Sequence, residues 1–82
     1  MTTETRTAKE IAAEIATAMA SQINDSELAP KVWSPDGRDF ARVYTGLRGE
    51  YVHVNADGSA RMSRDRMAWS HVISEIIADV TA

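Results

Sequence analysis

The apolar positions of this chain repeat with two periods, and the change of period divides it into three parts. Ala8, Ile11, Ala12, Ile15, Met19 and Ile23 recur every three or four residues, with Glu10, Glu14, Thr17 and Ser21 between them. That spacing puts the first set on one side of an α-helix of about four turns. Thr7-Ala8-Lys9-Glu10 is a capping box, in which Thr7 is the N-cap and Glu10 reaches back. The alanines favour helix and let a neighbour approach closely. Asn24-Asp25-Ser26 and then Pro30 end the helix. Residues 1–6 read as a frayed tail, and residues 7–82 as one domain.

In the middle of the chain the period falls to two. Lys31-Val32-Trp33 is a short strand, and Ser34-Pro35-Asp36-Gly37 a turn in which proline pre-sets one φ and glycine accepts a left-handed one. Arg38 to Thr45 reads as a longer strand, followed by a turn at Gly46-Leu47-Arg48-Gly49. Glu50 to Asn55 alternates strictly. Ala56-Asp57-Gly58 closes another hairpin, with Gly58 suited to a bulge, and Ser59 to Met62 is a last short strand. Three hairpin signals in succession predict an antiparallel meander.

The helical period then returns. Ser63 reads as an N-cap, with Asp65 in the first turn, where the helix dipole favours acid. Trp69, Val72, Ile73, Ile76, Ile77 and Val80 form the apolar stripe, opposite Ser70, His71, Ser74, Glu75 and Asp79. The expected fold is α+β: two helices on one face of a three- to four-stranded antiparallel meander.

Alternation assigns the strand residues to two faces. Ala41, Val43, Val52, Val54, Ala60 and Met62 make a floor for both helices. Phe40, Arg42, Tyr44, Tyr51, His53 and Arg61 fall on the far face, with Trp33 joining them. A face left to water has no need of so many rings. Tyrosine, tryptophan and arginine dominate binding hot spots, and rings flanked by arginine also suit base stacking. The plainer alternative is cross-strand stabilisation, at about 0.2–1 kcal/mol per pair.

Composition narrows the chemistry. Eighty-two residues make one domain. With no cysteine there is no disulfide, thiolate zinc site or cysteine nucleophile. No apolar run approaches membrane-spanning length, and Met1 to Glu10 has no signal-peptide stretch, so a cytoplasmic protein is expected, with no membrane partner. The net charge of −3 is uneven: residues 1–29 carry −3, residues 30–66 carry +2 and residues 67–82 carry −2. This argues against non-specific nucleic-acid binding but allows a local basic patch.

No catalytic or metal constellation emerges, and no cofactor is expected. His53 and His71 have no ligand spacing around them. His71 and Glu75, four apart on a helix, are an ordinary surface pair. Asn55-Ala56-Asp57-Gly58 begins like a calcium loop, but its glycine is at the wrong offset and Arg66 stands where the bidentate glutamate belongs. No serine sits in a nucleophile elbow, and the glycines are isolated at turns. Arg61, Arg64 and Arg66 cluster at the strand-to-helix junction, where they read as a contact for an anion or nucleic acid, or as a solvated junction paired with Asp65.

The expectation is a small non-enzymatic module that binds, or binds and inhibits, a larger protein through Phe40, Arg42, Tyr44, Tyr51 and His53. In size, mild acidity and lack of cysteine it is similar to the inhibitor and accessory proteins of phages and mobile elements, anti-CRISPR proteins among them, although no motif carries that likeness. A single-stranded nucleic-acid binder using the same face, and a homodimer, are the alternatives.

Overall fold

The computed structural model describes residues 6–36 and 39–82. Gly37 and Arg38, expected at the first turn and the start of a strand, lie outside the described residues, as do the first five of the expected tail. The order is α1 (Ala8–Gln22), β1 (Lys31–Trp33), β2 (Phe40–Tyr44), β3 (Tyr51–Asn55), β4 (Ala60–Met62) and α2 (Ser70–Thr81). This is the expected α+β fold, with four strands in the meander order β1-β2-β3-β4.

α1 begins where its capping box places it. Glu10 N donates to Thr7 Oγ1 at 3.2 Å, and Thr7 N donates to Glu10 Oε1 at 2.9 Å. Two of the helix's orphan N–H groups are thereby satisfied. The Thr7 N–H bond, above all, holds the Glu10 carboxyl below its ordinary range. α1 ends at Ile23, which turns extended while its N–H still reaches Met19 O at 2.9 Å. Arg6 pairs with Glu14, and its Nη2 donates to Val80 O at 2.7 Å, tying the entry of α1 to the end of α2.

The predicted floor is the core face. Ala41, Val43, Val52 and Val54 are fully buried, with Ala60 and Met62 packed at the margin. α1 crosses β1, β2 and β3, while α2 lies against β4 and α1. Ile11, Ile15 and Met19 from α1 meet Ile73 and Ile76 from α2 over that floor. Burying one such side chain contributes about 1.5–3 kcal/mol, so this layer is the main source of stability. Gly58 (φ 92°) lies directly under it: a Cβ there would stand 3.3 Å from Ile11 Cδ1.

Two expectations about the second helix are corrected. It starts at Ser70, not after Ser63. The Ser63 hydroxyl is committed to the sheet, accepting from Tyr51 N at 3.1 Å, while Ser63 N donates to Tyr51 O at 2.8 Å. Asp65 therefore lies in the turn segment before α2. Nor does Trp69 belong to the apolar stripe. It is the N-cap residue, in the left-handed region at φ 61°, with its indole exposed. Met67 is buried in the core nearby. A bulky side chain in that backbone region costs about 1–3 kcal/mol, so its surroundings must hold it. The indole N–H donates to Asp25 Oδ2 at 2.9 Å, and Ala68 N, one residue earlier, donates to the buried carboxylate of Glu50 at 3.2 Å.

Candidate functional site: the aromatic and arginine face of the sheet

Residues directly opposite one another in an antiparallel sheet share a face. The register sets Trp33 opposite Arg42, Arg42 opposite His53, and His53 opposite Arg61. These four make one row across all the strands, about 14 Å long at the usual strand spacing. Lys31, Tyr44 and Tyr51 form the next row on one side, and Phe40 with Asn55 the row on the other. All seven residues expected on this face are therefore there: Trp33, Phe40, Arg42, Tyr44, Tyr51, His53 and Arg61.

Arg42 is the hub. Its Nε donates to His53 Nδ1 at 3.4 Å and its Nη1 to Tyr44 OH at 3.3 Å. Its guanidinium carbon lies 4.5 Å from the centre of the Tyr51 ring and 5.6 Å from that of Phe40. The guanidinium is planar and the rings offer their negative faces, so the contact is a cation–π one as well as packing. The Tyr44 hydroxyl is the main influence raising the Arg42 pKa, with partial burial opposing it.

The rings hold one another as well. Phe40 stacks on His53 at 5.2 Å and 20°, Tyr44 meets Tyr51 at 5.5 Å, and Trp33 leans on Phe40 at 5.7 Å. The contacts expected of cross-strand stabilisation are present. They also fix each ring in place, which lowers the entropy lost when a partner docks. Trp33, at the outer end of the row, stays 49% exposed.

Two residues outside the expected set complete the face. Lys31, two positions from Trp33, is brought beside Tyr44, and Asn55 lies opposite Phe40. Period-two counting along Lys31-Val32-Trp33 carries the signal for Lys31. No Asp or Glu shares the face among the described strand residues, so Lys31, Arg42 and Arg61 give it a positive charge on a chain of net charge −3.

Arg64 and Arg66 lie elsewhere, exposed in the segment between β4 and α2. The anion-contact reading of the Arg61, Arg64, Arg66 cluster relied on an adjacent helix N-terminus. Met67, Ala68 and Trp69 separate Arg66 from α2, so that support is removed. His53 and His71 are on different elements, and among the described residues no three His, Asp or Glu side chains are grouped to hold a metal. Among them, too, no helix is long and apolar enough to cross a membrane.

No family model, curated protein or solved structure matches this chain.

Proposed function

We propose that this chain is a non-enzymatic interaction module that captures a larger protein, one with an acidic surface, through the aromatic and arginine face of its sheet. The observation that carries this reading is the row Trp33–Arg42–His53–Arg61, flanked by Phe40, Tyr44 and Tyr51, on the face that both helices leave uncovered. Fixed rings supply contact area at low entropic cost, and unopposed cations select a carboxylate-bearing partner.

The same charges argue against the face as its own partner. A two-fold dimer packs a patch on its own copy, which here sets a positive face against a positive face. Nucleic acid is the weaker reading, because three cations spread over the face fall short of the strongly basic surface that holds a phosphate backbone. Where the covered surface is the partner's working one, such a module inhibits it, in the manner of the phage and mobile-element proteins it resembles in composition. A cysteine-free chain suits work in a reducing cytoplasm.

The test is capture from lysate by the wild-type chain and by a Tyr44→Ser/Tyr51→Ser double variant, with nuclease present. The expected result is a protein band held through nuclease treatment, released by salt, and lost in the double variant, with the circular dichroism spectrum unchanged. Equal capture by the variant, or loss of the band on nuclease treatment, overturns the proposal.

A further inference from the structure

We infer that β4 is a docking edge: an extended segment of a partner protein adds there as a fifth strand and seats an acidic residue against Arg61. Asn55 N donates to Ser59 O at 2.8 Å, and Ser63 N to Tyr51 O at 2.8 Å. Hydrogen-bonded pairs in an antiparallel ladder recur at every second residue. The bonded pairs between β3 and β4 are therefore Asn55–Ser59, His53–Arg61 and Tyr51–Ser63. Val54–Ala60 and Val52–Met62 are the non-bonded pairs in this register. The backbone N–H and C=O groups of Ala60 and Met62 consequently point away from the sheet, and no loop of the described residues bonds to them. Such a row of donors and acceptors is what an added strand pairs with.

The opposite edge differs. Thr45 N donates to Glu50 O at 3.2 Å, and the same alternation then turns Arg42 and Tyr44 toward β1. Trp33 and Lys31 pair with them, which leaves only Val32 facing outward. Pro30, Lys31 and Pro35 surround it, and these residues blunt an edge.

The surroundings of β4 define the chemistry of the added segment. Its alternate side chains point to opposite sides. Those beside Ala60 and Met62 point toward a cavity of about 500 Å³ between β4 and α2, where Met62, Ser74 and Ile77 form part of the lining together with Arg64 and Asp65. Short side chains such as valine fit there, packing on Ala60, Met62 and Ile77, which share the lining with polar groups that include Arg61 and Ser63. The residue between them lies beside Arg61 and extends the row Trp33–Arg42–His53–Arg61 by one position. Arg61 is exposed, and among the described residues the only ion pair is Arg6–Glu14, so no carboxylate already neutralises it. Arg64 and Arg66 outweigh Asp65 close by. The matching segment reads apolar–acidic–apolar.

A second copy that pairs Ala60 and Met62 with their counterparts meets like charge. The two-fold register that bonds Ala60 to its neighbour's Met62 places Arg61 directly opposite itself, at the closer, non-bonded spacing of about 4.5 Å between Cα atoms. Like charges so placed are destabilising. The edge extends the face proposed above, but it rests on free backbone groups and not on the tyrosines.

The test titrates the isotope-labelled full chain with the peptide acetyl-Ser-Thr-Val-Glu-Val-Thr-Ser-amide. We expect slowed amide exchange at Ala60 and Met62. Affinity should fall about tenfold or more with Arg61→Glu, and as much when lysine replaces the peptide's glutamate. Ala60→Pro removes one outward donor without touching the β3 ladder, and should weaken binding similarly. If that variant unfolds, Arg61→Glu decides. The Tyr44→Ser/Tyr51→Ser variant should bind the peptide normally, which separates failure of the edge from failure of the face. The inference is overturned by absence of protection at Ala60 and Met62 at roughly millimolar peptide. It is equally overturned by an affinity that Arg61→Glu leaves unchanged.

Discussion

The indole N–H of Trp69 donates to Oδ2 of Asp25 at 2.9 Å, joining segments 44 residues apart in the chain. It clasps the exit of α1 to the head of α2 and helps hold Trp69 in its left-handed backbone. The same bond, followed by that from Glu27 N, keeps the Asp25 carboxyl below its usual value of 3.8. A carboxyl with a lowered folded-state pKa stabilises the fold above its unfolded value, and that contribution is lost as pH falls through the folded one. Trp69→Phe should therefore move the Asp25 midpoint up toward 3.8 and start acid unfolding at a higher pH. A carboxyl-detected NMR titration reads this directly, and an unmoved midpoint would show that the indole is not the cause.

Glu50 is a buried carboxylate whose Oε1 accepts from Ala68 N at 3.2 Å. Glu50→Ala orphans that N–H and leaves a void, and should cost about 1–3 kcal/mol or more in urea unfolding. Glu50→Gln keeps an acceptor of the same shape and should cost clearly less. Equal losses would mean that neither the filled space nor an uncharged acceptor for Ala68 N accounts for what Glu50 contributes.

Trp33 separates binding from stability. It is 49% exposed at the end of an edge strand and touches Phe40 alone among the rings. Trp33→Ala should change stability by no more than about 1 kcal/mol, the value of one cross-strand aromatic pair. Partner capture should fall much further. Capture that survives intact would remove Trp33 from the interface.

Ile15 sits fully buried at the centre of α1. Ile15→Ala should cost about 2–5 kcal/mol, a large share of what a domain this size has to lose. Chemical unfolding of the variant checks it. A loss below about 1 kcal/mol would mean that the layer between the helices and the sheet is looser than its burial indicates.

Much of the face was legible in the sequence because alternation is a local property. Once Val43 and Val52 are known to face the helices, Arg42, Tyr44, Tyr51 and His53 have only one side left to occupy. The same counting puts Glu50 on the side of Val52 and Val54, and its burial follows from strand period even though its charge suggests solvent. What alternation does not say is which groups touch. Arg42 became the hub because the register brings His53 and Tyr51 within its reach.

The sequence by itself determined the periods: 3.6 residues for both helices, two for the strands, with glycine marking the turns between strands. These depend on neighbours a few residues apart, so they can be read along the chain. The start of α2, the backbone of Trp69 and the open edge of β4 were decided only by the tertiary structure. Ser63 had the chemistry of a cap, but Tyr51 N, twelve residues away, claimed its hydroxyl. Trp69 had the spacing of a core residue, but Asp25, from the far end of α1, drew its indole outward. A side chain with one hydroxyl or one N–H serves one strong partner at a time, and in both cases the partner that won came from a distant part of the chain.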